Sequence, residues 1–287
     1  MIVEEIKMDR FILILKYIVI AFVQGVAEIL PISSSGHMVI TKHILGIGTE
    51  DLSFEIFLHF ASLFAIVFFL RKRLFELVKD FLIFVFKRPN IEDANYSKIK
   101  NNFIICIYIV VATIPAGILG ILLEDIIGQH LTSLLFVGIF LIITAILLYI
   151  STLIKCEKEI HEIKWYNALA IGLFQCVGIL PGISRSGSCI VGSKAQKVNQ
   201  NDSAEFAFLL AIPIMLGSAI FSINDISIAF QNKELIIPYI IAFIVTLFVT
   251  YVALAIFLKI VRKQKLYYFS IYCILMGILS IILYLLV

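Results

Sequence analysis

Two short segments of the chain combine hydroxyl groups with charged side chains inside otherwise apolar sequence. The first, QGVAEILPISSSGHM at 24–38, contains a glutamate, three consecutive serines and a histidine. The second, QCVGILPGISRSG at 175–187, places an arginine between two serines. A guanidinium is well suited to binding phosphate, and an imidazole can transfer protons near neutral pH. The two segments therefore predict phosphate chemistry.

Ser34 is the candidate nucleophile of the first segment. A serine hydroxyl needs a nearby base in order to attack phosphorus, and His37 stands three residues further along the chain. We assign the base role to His37, with Glu28 orienting the imidazole or sharing the proton. The residues leave two alternatives open, namely His37 as the nucleophile and direct attack by water.

Arg185 is the candidate phosphate-binding residue, because its planar guanidinium offers paired hydrogen bonds and keeps its charge. Glu28 is also the candidate ligand of a divalent cation held against the phosphate oxygens. Alternatively, Glu28 is only a buried acid that pairs with Arg185. Further hydrogen bonds to phosphate are expected from Gln24, Ser33, Ser35, Ser184 and Ser186. Three other polar residues either line the same cavity or brace it: Glu55, His59 and Glu205.

The composition places this chemistry in a membrane. Of the 287 residues, 61% are hydrophobic and 15% are charged, whereas a soluble chain carries about 25% charged residues. These values exclude a soluble enzyme and predict an all-α polytopic membrane protein. The net charge of +3 is too small to indicate a nucleic-acid partner, and the five cysteines form no close pair and no metal-ligand spacing.

About six stretches are long and apolar enough to cross a bilayer as helices, which takes roughly 20 residues. They are 53–70, 103–123, 131–154, 203–222, 235–258 and 266–287. Two other apolar regions, 11–45 and 166–193, are interrupted by proline, glycine and serine. Backbone that is broken at membrane depth must be buried in protein or line a wet cavity. We therefore predict that both regions are re-entrant helix–loop–helix hairpins rather than spans.

The basic residues indicate the orientation of this arrangement. Most of the 23 Lys and Arg fall on one side of the predicted membrane, in 71–102, 155–165, 194–197 and 259–265. Because cytoplasmic loops are enriched in Lys and Arg, that side is expected to be the cytoplasm, with both termini facing outward. Segment 71–102 also has an apolar and a basic face, which predicts a short helix lying in the cytoplasmic interface.

The two interrupted regions align with each other without a gap, at a constant offset that pairs Gln24 with Gln175. An odd number of predicted spans lies between them, so the second region enters the membrane from the opposite face. The pattern predicts a single membrane domain built from two inverted repeats, 11–154 and 155–287. In each copy a serine can cap a new helix, whose N-terminal amides attract anions.

The segments QGVAEILPISSSGHM and PGISRSG resemble the two signature regions of the undecaprenyl-diphosphate phosphatases, the bacitracin-resistance protein family of bacterial membranes. The likeness extends over nearly the whole chain and includes FEIFLHFASLFA at 54–65 and AEFAFLLAIPIMLG at 204–217. It implies hydrolysis of undecaprenyl diphosphate to undecaprenyl phosphate and inorganic phosphate in the bacterial plasma membrane. This reaction recycles the lipid carrier of peptidoglycan synthesis and confers bacitracin resistance.

The resemblance also implies roles for individual residues. The family's acid pair, serine, histidine and phosphate-binding arginine fall on Gln24, Glu28, Ser34, His37 and Arg185. A site that opens to the outer face and depends on a divalent cation, Mg²⁺ or Ca²⁺, is implied as well. The family often has a threonine where this chain has Cys189. The expected partners are the polyprenyl diphosphate substrate and membrane lipid, and a homodimer is among the expected assemblies.

The competing hypothesis is a transporter of lipid phosphates. Inverted repeats with broken helices that meet near mid-membrane are common in transporters, and a flippase would also need an anion pocket. Moving a phosphate requires an arginine and backbone amides but no nucleophile. The cluster of Glu28, Ser34 and His37 therefore favours the phosphatase.

Overall fold

The structure is a computed structural model that describes residues 2–47, 52–92, 94–223, 233–263 and 265–286. Within these ranges the chain forms ten α-helices and no β-strand. They are α1 (Ile2–Ile29), α2 (Ser34–Leu45), α3 (Leu52–Leu82), α4 (Tyr96–His130), α5 (Leu134–Leu153), α6 (Trp165–Val177), α7 (Arg185–Ala195), α8 (Gln200–Phe221), α9 (Lys233–Arg262) and α10 (Tyr267–Leu285). A π-helical turn at Ile83–Lys87 extends α3, and a 3₁₀ turn at Ile160–Glu162 precedes α6.

Seven of the helices in the described ranges are long and apolar enough to cross a membrane. The all-helical, multi-pass membrane fold predicted from the composition is confirmed at this level. The sequence predicts about six spans. The seventh candidate is Phe11–Ile29, which we expect from the sequence to be the first half of a hairpin. This helix already has the length of a span when it ends at Ile29, just before Pro31 interrupts the chain.

The third helix is longer than the sequence suggests. We expect a separate interfacial helix in 71–102, but residues up to Leu82 continue α3, and the π-helical turn carries the helical run to Lys87. No proline or glycine stands between Leu52 and Arg88 to end the helix, and Pro89 follows immediately. The basic residues that we expect on an interfacial helix therefore begin at the end of a long helix.

The helices pack in pairs around the two short helices α2 and α7. Helix α5 packs along α10, α1 along α9, and α4 along α6. The short α2 contacts α1 and α5, and the short α7 contacts α5, α6 and α8. Apolar side chains such as Phe68, Leu122 and Phe248 are more than half exposed on the outside of the bundle. An apolar outer surface suits lipid, whereas the interrupted backbone lies inside the protein.

Each of the two breaks ends in a serine that caps the following helix. Ser33 precedes α2, and its Oγ accepts a hydrogen bond from the Gly36 N–H at 3.3 Å. Ser184 precedes α7, and its Oγ accepts from the Gly187 N–H at 3.0 Å. Ser33 has a φ of 71°, a region that side-chain-bearing residues rarely adopt. The first break is therefore held in a strained conformation by its surroundings.

The two breaks touch each other through glycine. The N–H of Gly182 donates a hydrogen bond to Ser33 Oγ at 3.0 Å, and a Cβ added to Gly36 would lie 2.9 Å from the Gly182 Cα. Gly182 itself has a φ of 103°, and its Cβ would lie 2.6 Å from the Val137 carbonyl oxygen. Only glycine fits there, because both the backbone angle and the space exclude a side chain. The hydroxyl of Thr144 on α5 donates to the Gly182 carbonyl at 2.9 Å and so fixes the second break.

Candidate active site

The carboxylate of Glu28, at the end of α1, is the centre of the candidate site. Its Oε2 accepts hydrogen bonds from Gln24 Nε2 at 3.0 Å and from Ser34 Oγ at 2.8 Å. Its Oε1 accepts a hydrogen bond from Nη2 of Arg185, and the two groups form an ion pair. Because Glu28 is buried, these donors replace the water that the carboxylate has lost. The structure thus brings together four of the residues singled out in the two sequence segments.

The pairing of Arg185 with Glu28 matches the structural alternative that the sequence leaves open, and it also leaves other guanidinium donors without a described partner. The described contacts of Arg185 go through Nη2, to Glu28 and to Met215 Sδ at 3.7 Å. A guanidinium carries five N–H donors on three nitrogens. Its side chain is 19% exposed, compared with 3% for Glu28. Arg185 can therefore bind an incoming anion without first leaving the site.

The hydroxyl of Ser34 donates its hydrogen bond to a different group from the one expected. The sequence suggests His37 as its base, but in the structure the hydroxyl donates to Glu28, across the break between α1 and α2. Ser34 is the first residue of α2 and is held there by the capping residue before it. The helix start presents Ser34 to the last turn of α1, so that the carboxylate is the nearest described proton acceptor.

His37 lies one turn into α2 and is buried. Its Nδ1 lies 2.8 Å from the Ser33 carbonyl oxygen, and its Nε2 lies 2.8 Å from the hydroxyl of Tyr272 on α10. The imidazole is therefore next to the serine cluster, but its described hydrogen bonds go to these two groups rather than to Ser34.

The hydroxyls of the remaining serines form hydrogen bonds within and between the two breaks rather than lining an open pocket. Ser33 Oγ accepts the two backbone N–H groups described above and lies 3.4 Å from Ser35 Oγ. In the second break, Ser184 Oγ lies 3.2 Å from Ser186 Oγ. Ser186 Oγ also donates to the Leu30 carbonyl at 3.4 Å. These hydroxyls hold the two helix starts side by side, with Ser35 the least buried of the four.

His59 on α3 is a stronger member of the site than its sequence context suggests. Its Nε2 lies 3.2 Å from Glu28 Oε2, and its Nδ1 lies 2.8 Å from the Glu55 carbonyl oxygen. A carbonyl oxygen only accepts hydrogen bonds, so Nδ1 carries a proton, and Nε2 needs another to face a carboxylate. The geometry fits a doubly protonated imidazolium that helps Arg185 to balance the charge of Glu28.

Two other polar candidates have partners elsewhere. The Glu55 carboxylate forms an ion pair with Lys42 on α2 at 2.6 Å. Glu205 forms an ion pair with Arg73 at 2.7 Å, in a separate polar cavity that Asn102 also lines. Glu55 thus supports the site only through the hydrogen bond between its carbonyl and His59. Glu205 lies outside the site.

The side chains around Glu28 do not fit a resident divalent cation. The described part of the chain contains no group of three or more His, Cys, Asp or Glu residues that could hold a metal ion. Both oxygens of Glu28 are occupied by donors, one of them cationic. Within the described contacts, the amide oxygen of Gln24 is the buried site acceptor that has no partner. One free amide oxygen is far fewer than the six oxygens that Mg²⁺ or Ca²⁺ prefers.

Cys189, at the position where the resemblance implies a threonine, forms its described hydrogen bond with α6. Its Sγ donates to Gln175 Oε1 at 3.2 Å, and the residue is fully buried. The thiol therefore ties α7 to α6.

Tyr272 is a site neighbour that sequence reasoning misses. It lies 235 residues from His37 along the chain, so no local spacing could have connected the two. His59 could have been given more weight, because a histidine within a predicted span is costly unless it has a partner.

Known proteins resemble this chain over nearly its whole length. The family model described as "Bacitracin resistance protein BacA" matches residues 17–279. The chain is 42% identical to "Undecaprenyl-diphosphatase 2" of Bacillus thuringiensis (strain Al Hakam), with 96% of this chain and 99% of the relative covered. It is 38% identical to "Undecaprenyl-diphosphatase" of Oceanobacillus iheyensis, with 96% and 98% covered.

A third relative, "Undecaprenyl-diphosphatase 1" of Halalkalibacterium halodurans, is 39% identical, with 93% of this chain and 95% of the relative covered. The alignments run over nearly the full length of both partners, so they include both breaks and all the helices between them. By its family match and these relatives, the chain belongs to the bacitracin resistance protein BacA family.

Proposed function

We propose that the chain hydrolyses undecaprenyl diphosphate to undecaprenyl phosphate and inorganic phosphate. The relatives' names support this reaction, and the observation that carries it is the hydrogen bond from Ser34 to Glu28 beside Arg185. A hydroxyl that already donates to a carboxylate next to a guanidinium is arranged for attack on phosphorus. The product is the recycled lipid carrier of cell-wall synthesis, and removal of the diphosphate form accounts for bacitracin resistance.

In the first step, Ser34 Oγ attacks the terminal phosphorus and its proton passes to Glu28 Oε2. The bond from that phosphorus to the bridging oxygen breaks, and its electron pair leaves on undecaprenyl phosphate. Arg185 and the N-terminal amides of α2 and α7 stabilise the charge on the transferring group. We thus move the base role for this step from His37 to Glu28, because the hydroxyl contacts Glu28.

In the second step, water attacks the phosphoserine. The bond from phosphorus to Ser34 Oγ breaks, and the serine oxygen takes back the proton held on Glu28. The proton of the water passes to His37 Nε2, where it displaces the hydrogen bond from the Tyr272 hydroxyl, and then to solvent, so that atoms and charge balance. This assignment gives each of the two proton acceptors its own half of the reaction.

When the substrate binds, the guanidinium of Arg185 has two anionic partners, the Glu28 carboxylate and the terminal phosphate. In the structure the guanidinium contacts Glu28 through Nη2, and a terminal phosphate would compete for it. Because a phosphate weakens the hold of Arg185 on Glu28, the carboxylate becomes a better proton acceptor when substrate arrives. The ion pair is therefore a resting arrangement that the substrate converts into a catalytic one.

We further propose that the two broken segments are re-entrant and that the repeats are inverted. Helices α2, α6 and α7 have 12, 13 and 11 residues, well short of the roughly 20 needed to span a bilayer. Exchanging α1–α5 with α6–α10 maps the α1–α9 packing onto α6–α4, and the α3–α9 packing onto α8–α4. The serine caps of the two breaks also correspond, Ser33 to Ser184. These correspondences support a two-fold relation between the halves.

The Lys and Arg distribution supports a plasma-membrane protein with both termini outside the cytoplasm. For the divalent cation implied by the resemblance, we propose that the ion arrives on the diphosphate, since the donors around Glu28 do not form a site for it alone. Calorimetric titration of Mg²⁺ or Ca²⁺ into substrate-free protein should then give no tight binding.

Transport of lipid phosphates is the competing function. It would use Arg185 and the helix starts but would gain nothing from the hydrogen bond between Ser34 and Glu28. The direct test is phosphate release from undecaprenyl diphosphate by the purified protein in detergent. Ser97→Ala, which alters an exposed serine at the start of α4, is the matched control for Ser34→Ala. Turnover that survives in Ser34→Ala at the level of Ser97→Ala would contradict the proposed mechanism.

A further inference from the structure

Tyr272 on α10 contacts His37 on α2 in two ways. Its hydroxyl lies 2.8 Å from His37 Nε2. The two rings are also nearly parallel, with an interplanar angle of 8° and centroids 5.5 Å apart. A single aromatic neighbour therefore contacts both the edge and the face of the imidazole.

The second nitrogen of His37 determines which way the hydrogen bond with Tyr272 runs. Nδ1 lies 2.8 Å from the Ser33 carbonyl oxygen, and a carbonyl oxygen only accepts, so Nδ1 carries the proton. In a neutral imidazole Nε2 is then an unprotonated acceptor, and the Tyr272 hydroxyl donates to it. The described hydrogen bonds thus select one of the two neutral tautomers.

The partners of this pair are separate from those of the Glu28 cluster. Ser34, Gln24 and Arg185 all donate to Glu28, whereas the described hydrogen bonds of the His37 ring go to Ser33 and Tyr272. The site therefore contains two proton acceptors, each with its own set of hydrogen-bond partners.

We propose that Tyr272 is a positioning residue of the active site, whose hydroxyl donates to Nε2 and so holds the His37 ring in the orientation, and in the tautomer set by Ser33, in which Nε2 is the proton acceptor. The proposal rests on the proposed function, since it deepens the role of His37 in the second step. It concerns the hydroxyl alone, because phenylalanine at the same position would keep the stacked ring. A purely packing role for Tyr272 would be unchanged by that substitution.

Nitrogen NMR on protein labelled with ¹⁵N-histidine tests the tautomer directly. The chain has five histidines, and His37→Gln identifies the signals of His37. In the wild type we expect a protonated Nδ1 and an unprotonated, hydrogen-bonded Nε2. Tyr272→Phe should move the Nε2 signal towards that of a free lone pair. Tyr268→Phe, on the same helix but half-exposed and in contact with Tyr267, should leave it unchanged.

Kinetics test whether Tyr272 acts through His37. We expect Tyr272→Phe to lower kcat roughly ten- to a hundredfold, a part of the full effect of a general base, with little change in KM. Tyr268→Phe should behave like wild type. In a His37→Gln background, Tyr272→Phe should cause no further loss, because the two residues act as one unit.

The proposal is wrong if the Nε2 signal is the same in Tyr272→Phe and in wild type, or if His37 proves to be protonated at Nε2 in the neutral ring. It is also wrong if the losses in the double variant multiply. The nitrogen signals do not depend on turnover. A failure of this proposal is therefore distinguishable from a failure of the phosphatase mechanism, which the Ser34 variants report.

Discussion

The hydroxyl of Ser34 donates to the carboxylate of Glu28 at 2.8 Å across the break between α1 and α2. The contact joins the last turn of one helix to the first residue of the next, so its geometry depends on the strained backbone of Ser33 between them. In the proposed mechanism this contact places the nucleophile against its base before any substrate binds. On that mechanism, the break in the helix is the feature that makes the serine reactive.

Ser34→Ala should remove nearly all turnover, by roughly a thousandfold or more, and should change substrate binding little, since Arg185 and the backbone amides remain. Acid quenching during turnover of labelled substrate should leave phosphate on a serine in the wild type and none in the variant. Ser35→Ala should lose less than about tenfold, because only one neutral hydrogen bond is removed. An acid-labile phosphohistidine would instead transfer the nucleophile role to His37.

Arg185→Lys should lose most activity although the charge is kept. An ammonium group cannot reproduce the planar donors that bind phosphate while Nη2 contacts Glu28, so we expect kcat/KM to fall roughly a hundredfold. Arg73→Lys is the matched control, because Arg73 pairs with Glu205 in a separate cavity. Equal activity of the two variants would remove Arg185 from the phosphate site.

His59→Leu should impair the enzyme more than His59→Gln. Glutamine can still donate a hydrogen bond to Glu28, whereas leucine leaves the buried carboxylate with one donor fewer. A hydrogen bond to a charged group contributes about 1.5–3 kcal/mol, so kcat should fall roughly ten- to a hundredfold in the leucine variant. His161→Leu, which alters a histidine paired with Glu159 away from the site, should be close to wild type. No difference between the two His59 variants would mean that the contact with Glu28 does not matter.

Gly182→Ala should destabilise the protein and abolish activity together. Its φ of 103° and the 2.6 Å approach of a Cβ to the Val137 carbonyl oxygen leave no room for a methyl group. Backbone strain of this kind costs on the order of 1–3 kcal/mol, which should appear as a lower Tm in detergent. Gly217→Ala on α8 is the control, because a Cβ there meets no atom within 4 Å and alanine favours a helix. A normal Tm for Gly182→Ala would show that the second break can relax.

Cysteine labelling tests the orientation. In a background without the native cysteines, a maleimide that cannot cross membranes should label Gln129→Cys at the end of α4 in intact cells. Glu92→Cys, in the loop before α4, should be labelled only after lysis. Both positions are exposed, so a difference in labelling reports the side of the membrane rather than burial. The reverse pattern would overturn the orientation inferred from Lys and Arg.

The sequence predicts the helical class and the positions of both breaks. In lipid the backbone must form its hydrogen bonds internally, so a helix is interrupted only where proline, glycine or serine marks a break. Pro31 and the serines after it mark the first break, and Gly182 and Ser184 mark the second. The predicted cluster of Glu28 and Ser34 is also present. Local sequence is sufficient here because the residues concerned lie within one turn of a break.

Contacts between distant helices could not be predicted in the same way. His37 meets Tyr272 on α10, 235 residues further along the chain, because the packing of whole helices decides which side chains face each other. The length of α1 could not be predicted from the sequence either. Polar residues such as Lys16 and Gln24 interrupt its apolar pattern, but the helix continues through them.

The contact between Gly36 and Gly182, together with the ion pair between Glu28 and Arg185, has a consequence for biosynthesis. The ribosome makes the first break well before the second, so Glu28 enters the membrane 157 residues ahead of its guanidinium partner. Until α7 is in place, His59 of α3 is the described cation beside a carboxylate that is costly to bury in a membrane. The second half then supplies the guanidinium, the Gly182 N–H and the glycine surface together. The hydrogen bonds around Glu28 can therefore be completed only after the second break has been made.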